Sequence, residues 1–333
     1  MRVGIIGTGG MGRVHASQYG KMPDVELFVY DRNPERGART AANWNATLYS
    51  NPAELIEAVD VVDICVPTDG HAELGHQAIA AGRAVFMEKP LAGTLEEAVG
   101  LMSAAAAANV PLMPGQVVRF FPDFLTGHQL VKSGAVGTPA AARTRRGGLA
   151  PTGSEGWFMD HTRSGGILLD LAIHDFDWLR WTLGEVTQVY SRSLAALTKT
   201  GPDYALSTLT FDNGCVAHVE STWMDPNGFR AAFEVAGSAG LIQYDSREAP
   251  GLRVSPAKPS EPEVGKSYLA VSQTPTAPLE DPYYLELRGF LDAVKNGTPV
   301  PVAPIEGVHA VAIAVAARQS AETGQPVRPA REF

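Results

Sequence analysis

Short apolar runs alternate with stretches of helical periodicity from Met1 to about Met113. Arg2–Gly7 (RVGIIG), Val25–Tyr30, Val61–Val66, Ala84–Met87 and Pro111–Met113 are rich in Val, Ile, Leu and Phe and read as strands. Between them, Met11–Lys21, Pro34–Asn43, Ala53–Ala58, His71–Ala81 and Thr94–Ala108 read as helices, and the alanine run 104–108 marks close helix packing. Regular β–α alternation predicts a doubly wound parallel sheet with helices on both faces.

The texture changes after Pro114. Gln116–Phe121 closes the first unit, a helix follows near Asp123–Lys132, and Pro139–Arg145 reads as a strand. Ser164–Leu179 is apolar around most of its circumference, which predicts one helix buried on nearly all sides. Its exception is a polar stripe of Asp170, His174 and Asp177 at i, i+4 and i+7. Val189–Leu197, Ala205–Phe211, Cys215–Met224, Ala231–Ala236 and Leu241–Tyr244 then alternate with period two, separated by hairpin signals at Asp212-Asn213-Gly214 and Gly237–Gly240. They predict a large open, mostly antiparallel sheet, one face of which the buried helix covers. Pro250–Pro282 is Pro/Ser-rich and reads as a surface excursion, before helices at Tyr283–Val294 and Gly307–Ala321. The expected architecture is α/β, with a doubly wound domain over residues 1–118 and an α+β domain over residues 119–333.

The strongest chemical signal lies where the first strand ends. Gly7-Thr8-Gly9-Gly10-Met11-Gly12 is G-x-G-x-x-G between a strand and a helix. Gly7 permits the turn, Gly9 lets backbone approach a pyrophosphate, and Gly12 lets the helix pack on the strand, as in a dinucleotide-binding Rossmann domain. Asp31 ends the next strand about 20 residues on, where a carboxylate meets the ribose 2′-hydroxyl, and so argues for NAD. Arg32 beside it leaves NADP open. Ligands sit outside the carboxyl ends of the strands in such a sheet, so Pro67, Thr68 and His71, then Glu88 and Lys89, and finally Gln116 line the cofactor crevice. For Thr68 a plain N-cap is an equal alternative. Lys89, in Glu88-Lys89-Pro90, is placed to bond both the nicotinamide ribose and a substrate hydroxyl.

Composition narrows the partners. A formal net charge of −9 lacks the field that nucleic acid or an anionic membrane surface requires. Cys65 and Cys215 sit far apart in apolar runs and read as free buried thiols. No apolar run reaches the length of a membrane span, and no signal-like segment precedes the first strand, so a cytoplasmic protein is expected. Arg143, Arg145 and Arg146 either hold an anionic substrate or form salt bridges at a sheet edge, which fits better. The Asp170–His174 stripe is either a satisfied core hydrogen bond or an acid–base pair; a metal site needs a third ligand at fitting spacing, and none is evident.

G-x-G-x-x-G, then T-x-x-H at Thr68–His71, then E-K-P at Glu88–Pro90, resembles the Gfo/Idh/MocA family of sugar and cyclitol dehydrogenases, and the likeness runs over nearly the whole chain. The resemblance implies that Lys89 contacts nicotinamide and substrate. The family's D-x-x-x-H after Gly-Gly matches Asp170 and His174, implying that His174 takes the hydroxyl proton while Asp170 orients the ring and raises its basicity. Arg119, Trp157, His161 and Tyr283 join Lys89, Asp170 and His174 as expected substrate contacts. A homo-oligomer, dimer or tetramer, through the C-terminal sheet is implied on the same ground. The expected function is NAD(P)-dependent oxidation of a sugar, cyclitol or polyol hydroxyl to a ketone, or its reverse. The alternatives are a hydrolase or lyase using transient oxidation, and a non-catalytic dinucleotide sensor.

Overall fold

The computed structural model describes residues 1–151, 153–196, 201–249, 251–256 and 281–333. The first sheet consists of β1 (Arg2–Ile6), β2 (Glu26–Tyr30), β3 (Thr47–Leu48), β4 (Val61–Ile64), β5 (Ala84–Glu88) and β6 (Leu112–Gly115), all parallel, in the order β3-β2-β1-β4-β5-β6. The helices α1 (Gly10–Tyr19), α2 (Pro34–Trp44), α3 (Pro52–Ala58), α4 (His71–Ala80) and α5 (Leu95–Ala108) make the crossovers. Their starts follow from local chemistry. Asn33 and Asn51 cap α2 and α3 ahead of prolines, and Thr94 with Glu97 forms a capping box on α5. Helix α1 begins on Gly9 with no side-chain cap on its first N–H groups.

The second unit opens with α6 (Pro122–Lys132) and β7 (Pro139–Gly147), followed by α7 (His161–Ser164), α8 (Gly166–Asp170) and α9 (Ile173–Leu183). Then come β8 (Val186–Leu194), β9 (Tyr204–Phe211), β10 (Val216–Thr222), β11 (Arg230–Gly237), β12 (Gly240–Asp245) and β13 (Leu252–Pro256). Their sheet runs β13-β12-β11-β7-β10-β9-β8, and β7 and β10 are its parallel pair. One face is covered by α9 and α11 (Pro304–Thr323), the helix that follows α10 (Pro282–Asn296). An aromatic cluster of Trp178, Phe124 and Phe233 fills the space beneath, with Trp178 Nε1 donating to the Phe124 carbonyl at 3.0 Å. Among the described residues, no helix is long and apolar enough to cross a membrane.

Three sequence expectations change. The segment 164–179 is not one helix. Gly165 and Gly166 both take positive φ, and the helical winding loosens after Asp170, where the Ala172 N–H reaches five residues back to share the Ile167 carbonyl with that of Leu171. Asp170 therefore ends α8 while His174 lies in the first turn of α9, and the i, i+4 relation between them is lost. Leu252–Pro256, expected within a surface excursion, pairs antiparallel with β12; the remainder of that stretch to residue 280, like Leu197, lies outside the described residues. Finally, the chain returns to the first unit. Leu287, Phe290 and Leu291 of α10 pack in one cluster with Val3, Ile5 and Phe86, so the first core is completed from beyond residue 118.

Trp178 is fully buried. Trp178→Ala is expected to cost about 3–5 kcal/mol, read as a lowered urea midpoint; a loss under about 1 kcal/mol would mean the aromatic cluster does not organise this core.

Candidate active site

The glycine loop has the geometry of a phosphate cradle. Gly7 sits at φ +94°, and a Cβ there would lie 2.7 Å from the Cys65 carbonyl oxygen. At Gly12 a Cβ would lie 1.9 Å from the Gly7 carbonyl oxygen, whereas at Gly9 it would meet nothing within 4 Å. Two of the glycines thus allow backbone to touch backbone, and the third faces open space beside the uncapped start of α1. This combination fits a dinucleotide pyrophosphate. Thr8 ties the loop to the neighbouring strand, its N–H and Oγ1 each donating to Asp31 Oδ2 at 2.7 Å.

Asp31 is more heavily engaged than its sequence position suggests. Arg36, in the first turns of α2, donates from Nε at 2.8 Å and Nη2 at 2.7 Å, and the Asn33 N–H adds a contact at 2.7 Å. Burial pushes this carboxyl up, but Arg36, Asn33 and Thr8 together hold it below the usual range. Arg36 had no signal in the sequence beyond its place in an amphipathic helix. Arg32, adjacent, is exposed.

The groups expected to carry the chemistry gather where β5 ends. Lys89 Nζ donates to the Asp170 backbone carbonyl at 2.7 Å and to Asp170 Oδ1 at 3.0 Å, joining the rim of the first sheet to the end of α8. The His174 ring lies close enough to feel the charges of Lys89 and Arg146. It keeps part of its surface open, while its Nδ1 is enclosed without a hydrogen-bond partner among the described residues. Burial first, then the two cations, holds His174 well below the ordinary histidine value, so the ring is neutral. Two expectations are corrected here: Asp170 bonds Lys89 instead of orienting the imidazole, and the basicity of His174 is lowered.

Other expected contacts divide. His71 is buried, with Nδ1 2.8 Å from the Pro90 carbonyl oxygen and Nε2 3.0 Å from that of Val66; burial holds the ring toward its neutral form, so its single N–H donates to one of these carbonyls, and the ring is enclosed by backbone instead of facing the crevice. Arg119 is buried too; Asp177 takes its Nε at 2.8 Å and Glu306 its Nη2 at 2.6 Å, which removes it from the substrate set and explains the third member of the polar stripe. Tyr283 packs against His15 and Phe121 on the inner side of α10. Thr68 is buried, and because Gly70 precedes α4, Thr68 does not cap that helix; Pro67 leads into the same turn. Gln116 is buried with both amide atoms unpartnered among the described residues. Trp157 stacks on Phe158 at 4.0 Å, and the His161 ring packs where a Cβ on Gly166 would stand. Both belong to the segment that Arg163 pins to Asp69 at 2.7 Å, across the mouth between the two units. Arg143 and Arg145 make loose pairs with Glu234 and Glu220 along the outer sheet face, and Arg146 is buried against Asp175 at 2.9 Å.

Comparison with known proteins agrees with this geometry. Residues 1–116 match a family model described as an oxidoreductase family with an NAD-binding Rossmann fold, and residues 124–243 match the GFO/IDH/MocA C-terminal domain. The chain is similar to myo-inositol 2-dehydrogenase of Thermotoga maritima, 31% identical over 98% of each chain. It is 29% identical to the NAD(+)-dependent scyllo-inositol 2-dehydrogenase of Bacillus subtilis, over 98% of this chain and 96% of the relative. Among solved structures, levoglucosan dehydrogenase in complex with NADH and L-sorbose superposes with a TM-score of 0.90 at 25% identity, over 100% of this chain and 99% of the other.

Asp31 holds the loop through Thr8 and follows β2 at the position where the dinucleotide fingerprint expects a ribose contact. Asp31→Ala is expected to weaken NAD at least about tenfold and NADP less, as measured by fluorescence titration of each dinucleotide. Equal losses would show that Asp31 does not discriminate between them.

Proposed function

The chain belongs to the Gfo/Idh/MocA family of oxidoreductases, and from that premise we propose that it is an NAD-dependent dehydrogenase oxidising a hydroxyl of a sugar, cyclitol or related polyol to a ketone, or catalysing the reverse. The observation that carries the reading is the Lys89–Asp170 contact beside a neutral, partly open His174 at the carboxyl end of β5. Bound NAD supplies the hydride acceptor. Gly9, Gly10 and Met11, at the uncapped start of α1, would hold its phosphates with backbone N–H groups, the Thr8 N–H being committed to Asp31, and Pro67, Thr68, Glu88 and Gln116 would lie along the same crevice. The Lys89 ammonium favours negative charge on the substrate oxygen as the C–H bond breaks. His174 takes the hydroxyl proton, for which its neutral form is required. Asp170 fixes the amine, and in the reduction direction His174 returns the proton.

The substrate class rests on the relatives, whose names specify inositol isomers, and on the loop bearing Trp157 and His161, which closes the mouth through Arg163. Transient-oxidation hydrolysis and pure dinucleotide sensing are disfavoured by these named dehydrogenases. The outer face of the second sheet, with Arg143, Arg145, Glu220 and Glu234 alternating beside the exposed Leu206 and Phe229, supports a homo-oligomer joined there. Two free thiols support a reducing, cytoplasmic setting.

Screening polyols, aldoses and inositols for NADH absorbance is expected to find a substrate; Lys89→Met and His174→Ala then each lower kcat by about 10²–10⁴ with NAD binding retained. Wild-type turnover in either variant removes that residue from the mechanism. Because His174 must be neutral and its pKa is held down, the acid limb of kcat/KM for oxidation is expected below the ordinary histidine value of about 6.5. A limb at or above that value would mean another group accepts the proton.

A further inference from the structure

We propose that His15, through Glu88, is a positioning residue for Lys89: an imidazolium clamped between carboxylates from two strands fixes the corner that delivers the amine. The proposal rests on the dehydrogenase reading and adds a residue that this reading does not use. His15 lies on α1, three residues past Gly12, and is fully buried beneath the glycine loop. Its Nδ1 is 2.8 Å from Asp63 Oδ2 on β4 and its Nε2 is 3.1 Å from Glu88 Oε1 on β5, the latter contact lying off the ideal hydrogen-bond axis. A neutral imidazole has a single N–H, so one of these carboxylates would face a lone pair. Only the doubly protonated ring turns an N–H and a positive charge toward each of them, as a hydrogen bond to Asp63 and a charge contact to Glu88.

The surrounding groups agree. From beside β4, the Cys65 thiol donates to Asp63 Oδ1 at 3.2 Å and lies 3.3 Å from His15 Nδ1. Tyr19 faces the cluster from the same helix, and Tyr283 and Glu286 face it from α10. Burial opposes charge on His15, but Asp63 and then Cys65 outweigh it and hold the ring well above the ordinary value. Glu286, whose carboxyl oxygens have no partner among the described residues, is pushed well up by burial and then by Glu88, so it stays protonated and does not compete for the imidazolium. His15, Asp63 and Cys65 present ligand atoms within 4.8 Å of one another. Their closest spacings of 2.8–3.3 Å are those of hydrogen bonds and tighter than a tetrahedron built on Zn–N and Zn–S bonds of about 2.1 and 2.3 Å.

Glu88 is the link to the chemistry. Its Oε1 faces the imidazolium while its Oε2 accepts the backbone N–H of Lys89 at 2.9 Å. Burial pushes the Glu88 carboxyl up, and His15 with Lys89 brings it below its usual value. Without the imidazolium, this buried carboxylate loses its main counter-charge and takes up a proton at higher pH. The Lys89 N–H then loses a charged acceptor, and Nζ its registration on Asp170. A purely structural His15 would pin α1 to β4 and β5 and affect stability alone.

The test uses His15→Gln, Glu88→Gln and the double variant in the full chain. His15→Gln is expected to leave the NAD dissociation constant within threefold, to lower kcat at least tenfold with KM little changed, and to move the acid limb of kcat to higher pH. Glu88→Gln cannot accept from both the ring and the Lys89 N–H, so it is expected to lower kcat similarly, with the double variant no worse than the poorer single one. Acetylation of Lys89 by acetic anhydride, followed by peptide mass spectrometry, is expected to be at least threefold faster in both single variants. That readout needs no substrate: if wild type forms no NADH from any polyol, the functional reading fails, and acetylation still decides the positioning. Unchanged kcat, pH profile and Lys89 reactivity, or a loss confined to thermal stability or NAD affinity, overturns the proposal. Should His15→Gln not fold, kcat and Lys89 reactivity in Glu88→Gln decide it alone.

Discussion

One ammonium group, held by a carbonyl and a carboxylate 81 residues further along the chain, joins the two halves of this protein. Lys89 leaves the first sheet at the end of β5, and Asp170 ends a helix of only five residues. Neither partner is exposed enough for the pair to be a solvated surface bridge, so breaking it strands a charge in a poorly hydrated place. The crevice wall is fixed by this bond, and the position of the imidazole that follows on α9 depends on it.

Around that bond, charge is arranged in tiers. Arg146 against Asp175 and Arg119 against Asp177 anchor opposite sides of the start of α9, and Glu306 extends the second pair to α11 and Arg180. Burial first, then Lys89 and Arg146, keep the His174 ring beside this array unprotonated. Below the nucleotide loop the arrangement is reversed: His15 lies among acids and is kept charged. Two histidines of one chain are thus driven to opposite states by the sign of their neighbours.

The sequence was most readable where a single residue type has a single mechanical use. Gly7 and Gly12 stand where any side chain would strike a carbonyl, and the helices were legible from their periodicity, though the caps at Asn33, Asn51 and Thr94 emerge only from the structure. Glu88, Lys89, Asp170 and His174 were found from a motif, yet their pairing was not, because it depends on a break at Leu171–Ala172 that neither Gly nor Pro marks. Arg119 looked available because its two acids lie 58 and 187 residues away, beyond any local pattern. His15 passed as an ordinary helix residue, since its partners arrive on two other strands.

The return of α10 bears on how such a molecule is inherited. Phe290 and Leu291 roof the strands that carry the nucleotide loop, although they follow the last of those strands by more than 170 residues. A fragment ending after β6 would present bare Val3, Ile5 and Phe86 to water, an invitation to aggregate. Recombination cannot trade either half as an independent cassette, and loop variation between fixed elements is left as the route by which relatives diverge in what they recognise.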